Sequence, residues 1–190
     1  LAANKSLTAE LFRSYGIQTP QFTEVSKEDF KNLVLDPDLP AIIKPIDRGL
    51  SLGVSLIREL EEAEEAFQRA FGFSRNIMIQ EYISGREFTC SVIDDGGSES
   101  VPFPPTEIVF KTGGIFDHQS KHSQGLAEEI APARLSREDR ERLQEIAVFL
   151  HGVIGASGIS KTDIISSETG ELYVLEINTI PGMTKNSSLT

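Results

Sequence analysis

The sequence predicts an α+β protein, and three observations support that class. Apolar residues recur at helical spacing in three stretches that begin near residues 5, 59 and 137. Short runs rich in β-branched residues, such as residues 41–45, and a closing pair of alternating segments indicate strands. The chain has 190 residues, 39% of them hydrophobic and 25% charged, which is enough for a buried core.

The charge and cysteine content exclude several classes of function. The 29 acidic and 18 basic residues give a net charge of −11, which argues against nucleic acid or an anionic membrane as a partner. No apolar run approaches the ~20 residues that span a bilayer, and the start shows no secretory pattern. Cys90 is the single cysteine, so no internal disulfide is possible. We therefore expect a cytoplasmic protein in which Cys90 is a buried structural thiol.

The first half of the chain is predicted to contain three helices and two strands. The first helix begins after Asn4 as N-cap and ends at Gly16. Its apolar residues at helical spacing are Leu7, Leu11, Phe12 and Tyr15. A short second helix begins near Ser26, and strands follow at 41–45 and 54–57. An acidic amphipathic helix at 59–71 then buries Leu60, Ala63, Phe67 and Ala70.

The second half contains more strands and the longest helix. Strands are predicted at 76–82 and 86–93, with Ser84-Gly85 between them as the best domain boundary. Two short strands fall within 99–111, and the polar stretch 112–130 is predicted as a functional loop. Ser136 caps a helix over 137–154. A hairpin of strands 159–166 and 171–178, joined by residues 167–170, ends the ordered pattern.

The closing hairpin carries a candidate metal site. Alternation places Lys161, Asp163 and Ile165 on one face of the first strand. A four-residue connection would place Asp163 opposite Val174 and Lys161 opposite Glu176, so that Asp163 and Glu176 are diagonal neighbours ~7 Å apart. Together with Asn178 they offer the oxygen ligands that suit Mg²⁺. The alternative is a solvated strand face with a Lys161–Glu176 ion pair.

A glycine-flanked loop carries a second candidate site. Gly49 and Gly53 bracket Leu50-Ser51-Leu52, and Lys44 lies at the end of the preceding strand. Glycines allow backbone N–H groups to approach a phosphate, and a nearby lysine adds positive charge. Neither a P-loop nor a dinucleotide fingerprint is present, so an ordinary turn stays open as the alternative.

Taken in order, these segments resemble the D-alanine–D-alanine ligase family of the ATP-grasp superfamily. The similarity runs through Ile43-Lys44-Pro45, residues 49–54, residues 81–87 and Lys161-Thr162-Asp163 to the specific run 175–184. The resemblance implies an ATP-grasp fold, in which two α+β subdomains clamp ATP between their sheets. Residues 1–83 would form the first subdomain, and residues 84–190 the C-terminal subdomain with the metal-binding hairpin.

The resemblance also implies roles for individual residues around ATP. Lys44 and Lys121 would contact phosphates, and the loop from Gly49 through Ser51 to Gly53 would close over the γ-phosphate. Glu87 would hold the ribose. The adenine hinge would be Gln80, Glu81, Tyr82 and Ile83. The ligands of Mg²⁺ or Mn²⁺ would be Asp163, Glu176 and Asn178, in agreement with the alternation argument.

The reaction that the resemblance implies joins two D-alanines through an acyl phosphate, for synthesis of peptidoglycan precursors. Lys161 and the backbone N–H of Gly182 would stabilise the tetrahedral oxyanion. Ser187 or Ser188 would bind the carboxylate of the second substrate, near His122. Small-molecule substrates are the expected partners, and a homodimer is expected at the level of the complete enzyme.

Several positions depart from the usual family pattern. Leu50 stands where the first serine of a Gly-Ser-Ser loop belongs, and His122 replaces a tyrosine. Those two positions and Glu87 ordinarily form a hydrogen-bonded latch, so the usual latch cannot form. Lys161 replaces an arginine and loses its bidentate fork. Gln80 replaces a frequent acid at the hinge.

Two alternatives to the D-alanine–D-alanine ligase stay open on these grounds. One is an ATP-grasp ligase with another second substrate such as D-lactate, and the other is a catalytically silent nucleotide-binding module. The family's N-terminal substrate domain is absent from the sequence, so we expect the chain to be a fragment without turnover of its own.

Overall fold

The computed structural model describes residues 2–32, 38–94, 99–110 and 127–182, and its helices and strands alternate irregularly along the chain. The elements in the described residues are α1 (Lys5–Ser14), β1 (Phe22–Ser26), β2 (Ala41–Pro45), β3 (Ser55–Ile57), α2 (Ala63–Phe71), β4 (Asn76–Glu81), β5 (Gly85–Ile93), β6 (Val101–Pro102), β7 (Thr106–Phe110), β8 (Ala127–Ile130), α3 (Arg137–Val153), β9 (Ile159–Ser167) and β10 (Leu172–Asn178). Short 3₁₀ turns lie at Asp29–Asn32 and Leu60–Glu62. The predicted α+β class is confirmed.

The first sheet has the strand order β1-β4-β2-β3, and all its pairs are antiparallel. Its core face packs against α2 through Ile43, Ile57, Phe67 and Ile77, which are almost fully buried. The opposite face of the same strands carries Ile42, Lys44 and Gln80, because side chains alternate along a strand. The first sheet therefore presents a partly polar face away from α2.

The second sheet has the strand order β10-β9-β5-β7-β8, and β6 pairs with β5. Phe88, Leu143, Leu150 and Ile164 form its main core between the sheet and α3. The Ser136 hydroxyl caps α3 by accepting the Asp139 N–H at 3.0 Å, as the sequence predicts. The opposite face of the second sheet carries Glu87 and Asp163.

Helix α1 contacts both sheets. Phe12 is buried in the core of the second sheet, while the Ser6 hydroxyl donates to Glu24 of β1 at 2.5 Å. The Asn4 side chain accepts the Leu7 N–H at 3.1 Å, which confirms the predicted N-cap. The division into residues 1–83 and 84–190 stays a prediction, and α1 contributes to the core of the second sheet.

The structure differs from the sequence prediction at three places in the elements. Leu7 and Tyr15 are half exposed, because α1 turns a face with Ser6, Thr8 and Ala9 inward. Leu60 is half exposed because it lies in the 3₁₀ turn before α2. Residues 127–130, predicted as part of a loop, form the edge strand β8. Over the described ranges, no helix is long and apolar enough to cross a membrane.

Candidate functional site

A cleft lies between the polar faces of the two sheets, and we call it the intersheet cleft. Lys44 lines it from the first sheet, and Glu87, Asp163 and Glu176 line it from the second. The connection between β4 and β5 closes one end. The predicted site residues that line this cleft are Lys44, Ser51, Gln80, Glu81, Tyr82, Ile83, Glu87, Asp163 and Glu176.

The hairpin that carries the carboxylates has a different register from the predicted one. Glu176 lies directly opposite Asp163, and Val174 lies opposite Ile164, with a bulge at Leu175. The predicted pairs of Asp163 with Val174 and of Lys161 with Glu176 are therefore wrong. The turn is shorter by one residue than the predicted one. The Ser167 N–H donates to the Glu171 carbonyl at 2.8 Å, so Ser167 pairs with Glu171 and only residues 168–170 lie between them.

The bulge also changes which β10 side chains share a face. Val174 and Ile177 both pack in the core of the second sheet, while Leu175 and Glu176 both line the intersheet cleft. The predicted grouping of Val174 with Glu176 is wrong, because one extra residue resets the alternation. The predicted common face of Asp163 and Glu176 is right. Directly opposite side chains have Cβ atoms about 5 Å apart, closer than a diagonal pair.

Three lysines surround the two carboxylates. Lys161 Nζ lies 3.5 Å from Asp163 Oδ1, and Lys5 Nζ lies 3.4 Å from Glu176 Oε2. Burial opposes ionisation of Glu176, but the charges of Lys5, Lys44 and Lys161 hold its pKa below the usual value. Asp163 likewise raises the pKa of Lys161. The alternative prediction, a Lys161–Glu176 ion pair, is wrong, because Lys161 pairs with Asp163 and Glu176 pairs with Lys5.

Lys5 is a cleft residue to which the sequence analysis assigned no role. Its side chain donates to the Arg48 carbonyl at the start of the glycine loop and also pairs with Glu176 on the second sheet. Its backbone N–H donates to the Ile46 carbonyl at 2.9 Å. In the sequence, Lys5 is only the residue after the N-cap Asn4, and a lysine at that position is common in helices that have no binding role. The fold places Lys5 between the glycine loop and the Glu176 carboxylate.

Lys44 is the most deeply buried cation of the cleft. Its residue is 7% exposed, and burial lowers the pKa of its amine to about 8, even though Glu176 opposes that shift. A partly desolvated amine interacts strongly with an anion because little water screens the charge. Lys44 is therefore suited to bind a phosphate.

The glycine loop contains backbone in the left-handed region. Leu50 has φ 57° and Ser51 has φ 55°, and Gly53 follows with φ 73°. A Cβ on Gly53 would lie 2.8 Å from the Phe73 ring, so both its conformation and its packing require glycine. Such strained turns point N–H groups toward anions. Ser51 lines the intersheet cleft, while Leu50 is 56% exposed.

The remaining predicted site residues fall into four groups. Lys161 adjoins the cleft through Asp163, and Asn178 lies opposite Lys161 with its amide oxygen accepting the Ile180 N–H at 2.9 Å. Gly182 is described and has open space around its Cα. Gly49 precedes the left-handed residues of the loop. Outside the described residues lie Lys121, His122, Ser187 and Ser188.

The donor set of the cleft fits a divalent cation that also binds phosphates. Across the described part of the chain, no three His, Cys, Asp or Glu side chains cluster as a metal site. Protein ligation would therefore rest on Asp163, Glu176 and the Asn178 amide. A cation of the Mg²⁺ type uses few protein ligands and completes its shell with water and phosphate oxygens. The residues present match that requirement.

Comparisons with known proteins identify the family of the chain. The family described as D-ala D-ala ligase C-terminus matches residues 11–190. The D-alanine–D-alanine ligase of Desulfotalea psychrophila is 36% identical over 100% of this chain and 60% of its own length. The corresponding enzyme of Desulforamulus reducens is 30% identical over 98% of this chain and 62% of its own. The chain spans about three fifths of the length of these curated relatives.

A solved structure gives the same result for the fold. The VanG D-Ala:D-Ser ligase from Enterococcus faecalis superposes with a TM-score of 0.85 at 30% identity, covering 98% of this chain and 55% of that one. The two facing sheets and the cleft between them define the chain as an ATP-grasp fold, the fold of its structural neighbours. The chain belongs to the D-alanine–D-alanine ligase family, whose members are ATP-dependent enzymes, and it matches their C-terminal region.

Proposed function

We propose that this chain supplies the ATP-binding part of an ATP-dependent ligase that joins two D-alanines for peptidoglycan precursor synthesis. One observation carries the proposal. Asp163 and Glu176 lie directly opposite each other in a cleft that also contains the buried Lys44 and Glu87. That arrangement combines cation ligands with a phosphate-binding amine.

We assign the nucleotide subsites from the lining of the intersheet cleft. Lys44 binds the α- and β-phosphates, with Lys5 and Lys121 adding positive charge. Glu87 holds the ribose. The loop of Gly49, Ser51 and Gly53 covers the γ-phosphate, and the hinge of Gln80, Glu81, Tyr82 and Ile83 contacts adenine. Gln80 is 4% exposed and neutral, so its amide can donate to or accept from the base.

We assign the cation site to Asp163, Glu176 and Asn178, with Mg²⁺ or Mn²⁺ as the bound ion. When bound, the ion neutralises phosphate charge during phosphoryl transfer. In the structure, Lys5 Nζ pairs with the Glu176 carboxylate at 3.4 Å, and Lys161 Nζ pairs with the Asp163 carboxylate at 3.5 Å. With a cation held by these carboxylates, Lys5 would be free to pair with the substrate phosphates and Lys161 with the developing oxyanion.

The reaction has two balanced steps. The carboxylate of the first D-alanine attacks the γ-phosphorus of ATP, and ADP leaves with the electrons of the broken bond. The neutral amine of the second D-alanine then attacks the acyl carbon, phosphate leaves with the electrons of the broken C–O bond, and the nitrogen releases a proton to solvent as the amide bond forms. Lys161 and the Gly182 N–H stabilise the developing oxyanion. His122 and either Ser187 or Ser188 orient the second substrate.

The complete protein that contains this chain provides the test of the activity. With ATP, Mg²⁺ and D-alanine as the only amino acid, we expect equal amounts of ADP, phosphate and D-alanyl-D-alanine. ATP hydrolysis without a dipeptide would overturn the ligase assignment. Absence of both ATP binding and hydrolysis would indicate a silent module instead.

A second candidate function differs only in the second substrate. The similarity to a D-Ala:D-Ser ligase favours testing D-serine, and D-lactate remains the alternative that the His122 position suggests. Product analysis with D-alanine, D-serine and D-lactate supplied together separates these outcomes. A mixed-linkage product in excess over the dipeptide would replace the main proposal.

Glu176→Gln tests the cation site separately from the ligase activity. The substitution keeps the shape of the side chain but weakens cation binding, so the Mg²⁺-dependent part of ADP affinity should be lost while the fold is retained. Glu171→Gln, on an exposed position of the same hairpin, is the matched control. Unchanged Mg²⁺ dependence in Glu176→Gln would remove this residue from the site.

The surroundings of the complete enzyme follow from the same assignment. We propose a cytoplasmic location, where ATP is available, and small molecules as the partners of the site. We also propose a homodimer for the complete enzyme. Light scattering of that enzyme distinguishes a dimer from a monomer.

A further inference from the structure

We propose that Thr89 is a positioning residue for the cation site: its buried hydroxyl holds the Asp163 carboxylate in the orientation that binds the metal–nucleotide complex. This inference rests on the proposed function, because it requires a cation at Asp163. It assigns a role to a residue that contacts neither substrate nor metal directly.

The first observation is an unpartnered polar atom. Thr89 is 3% exposed, and its Oγ1 has no hydrogen-bond partner among the described residues. A buried hydroxyl without a partner destabilises a folded protein, so its presence requires an explanation. Valine has nearly the same shape as threonine and would fill the same space without that cost.

The second observation is the position of this hydroxyl in the second sheet. Thr89 lies directly opposite Asp163 in the pairing of β5 with β9, and opposite Thr106 in the pairing of β5 with β7. It is two residues from Glu87, which lines the intersheet cleft, so the two side chains share a face. Cβ atoms of directly opposite residues are about 5 Å apart. Thr89 and Asp163 are therefore side-by-side neighbours on the face of the second sheet that bears the cleft.

The third observation concerns what Asp163 has to do when a cation binds. In the structure its Oδ1 pairs with Lys161 Nζ at 3.5 Å. A cation at Glu176 and Asp163 draws the same carboxylate away from Lys161, and its orientation then needs another donor. A carboxylate accepts several hydrogen bonds, and the Thr89 hydroxyl is an unused donor on the residue directly opposite Asp163. Partners of this kind commonly change metal affinity 10- to 100-fold when removed.

The chain contains a matched control in Thr162. Its Oγ1 is also buried and without a partner, and the residue is 0% exposed. It precedes Asp163 in β9 but points to the other face of the sheet, opposite Cys90. Thr162 thus shares the burial and the missing partner of Thr89 but does not share a sheet face with the Asp163 carboxylate.

The experiment compares Thr89→Val, Thr89→Ser and Thr162→Val in the 190-residue chain. ADP binding is measured calorimetrically across a series of Mg²⁺ concentrations and in EDTA, and the melting temperature is measured without ligand. We expect Thr89→Val to melt at or above the wild-type temperature, to bind ADP unchanged in EDTA, and to need at least ~10-fold more Mg²⁺ for half of the maximal effect. Thr89→Ser should retain the wild-type Mg²⁺ dependence, and Thr162→Val should change the melting temperature alone.

Three outcomes overturn the proposal. Thr89→Val overturns it if its Mg²⁺ dependence equals that of Thr162→Val, and Thr89→Ser overturns it if it loses as much as the valine variant. If the wild-type chain binds ADP without any Mg²⁺ dependence, the proposed cation site is wrong, and the role proposed for Thr89 is then wrong as well. The wild-type measurement therefore separates failure of the function from failure of this residue's role.

Discussion

At the scale of single residues, Lys44 links the fold most directly to binding. Its amine has a pKa of about 8 in place of the usual 10.5, because burial disfavours the charged form. Below about pH 8 the amine is charged and attracts phosphate, and above that pH the free protein loses the charge. We expect the affinity for Mg²⁺–ADP to fall by roughly tenfold or more between pH 7 and pH 9.5, as measured by calorimetry.

Two variants of Lys44 show whether this amine is responsible. Lys44→Arg keeps its charge over the whole range, so its affinity should be nearly independent of pH. Lys44→Met should bind weakly at pH 7, and the wild type should approach its affinity at pH 9.5. A wild-type affinity that stays constant to pH 9.5 would contradict the assignment of Lys44 to the phosphates.

A second group of residues stabilises the protein away from the cleft. His151 of α3 is 1% exposed, with Nδ1 2.8 Å from the Ser160 hydroxyl and Nε2 2.5 Å from Asp94 Oδ2. Asp94 also accepts the Gly158 N–H at 3.0 Å. This arrangement resembles a Ser-His-Asp triad, but the Ser160 residue is 0% exposed, so no substrate reaches it. It connects the end of α3 to the ends of β5 and β9.

Substitution of His151 by phenylalanine keeps an aromatic ring, although a slightly larger one, and removes both hydrogen-bonding nitrogens. We expect the free energy of unfolding to fall by roughly 2–4 kcal/mol, because buried polar groups lose their partners. Urea denaturation measures the loss. Glu145→Gln on the exposed side of the same helix is the control and should stay within about 0.5 kcal/mol of wild type. An unchanged stability of His151→Phe would show that the network contributes nothing.

At the scale of elements, Gly85 at the start of β5 constrains how the two sheets join. A Cβ at this position would lie 2.1 Å from the Ser166 carbonyl oxygen of β9, a backbone atom that cannot rotate away. Gly85→Ala should therefore displace β5 from β9, lower the free energy of unfolding by about 1–3 kcal/mol and weaken ADP binding. Differential scanning calorimetry and ADP titration measure the two effects.

Gly152 provides the matched control for that substitution. It lies on the exposed side of α3, and a Cβ there meets nothing within 4 Å. Gly152→Ala should raise the free energy of unfolding by roughly 0.5–1 kcal/mol, since alanine favours a helix more than glycine does. Equal effects of the two alanine substitutions would refute the steric argument at Gly85.

Most elements could be predicted from the sequence because their signals are local. Ser136 before the longest helix and the β-branched residues 41–45 determine their structures through neighbours in the chain. The predicted common face of Lys161 and Asp163 has the same origin, since alternation depends only on the strand.

Features that depend on distant contacts could not be predicted. The bulge at Leu175 reflects packing of Val174 and Ile177 in one core, which no local pattern of β10 reveals. The contact of Lys5 with Glu176 joins the first helix of the chain to its last strand. The His151–Asp94 contact likewise depends on the way α3 lies across the sheet. Strict alternation correctly predicted that Asp163 and Glu176 share a face, but it predicted the wrong cross-strand partners for both.

At the scale of the whole molecule, an acidic protein places a group of lysines beside the carboxylates of its cleft. The net charge is −11, yet Lys5, Lys44 and Lys161 surround the two carboxylates. Helix α1 contributes Lys5 to the cleft and Phe12 to the core of the second sheet. A nucleotide bound in the cleft would therefore contact both sheets and the helix that packs against them.

Binding across both sheets should stabilise the entire chain. A ligand at 100 times its dissociation constant adds about 2.7 kcal/mol to the free energy of unfolding when it binds only the folded protein. For a chain of this length, that corresponds to a rise of roughly 5–11 °C in melting temperature. We expect this rise with Mg²⁺–ADP and a clearly smaller one with ADP in EDTA, because the phosphates then meet Asp163 and Glu176 without a cation between them. Two separate melting transitions, of which only one shifts with nucleotide, would contradict binding across both sheets. Identical melting curves with and without Mg²⁺–ADP would contradict the nucleotide site itself.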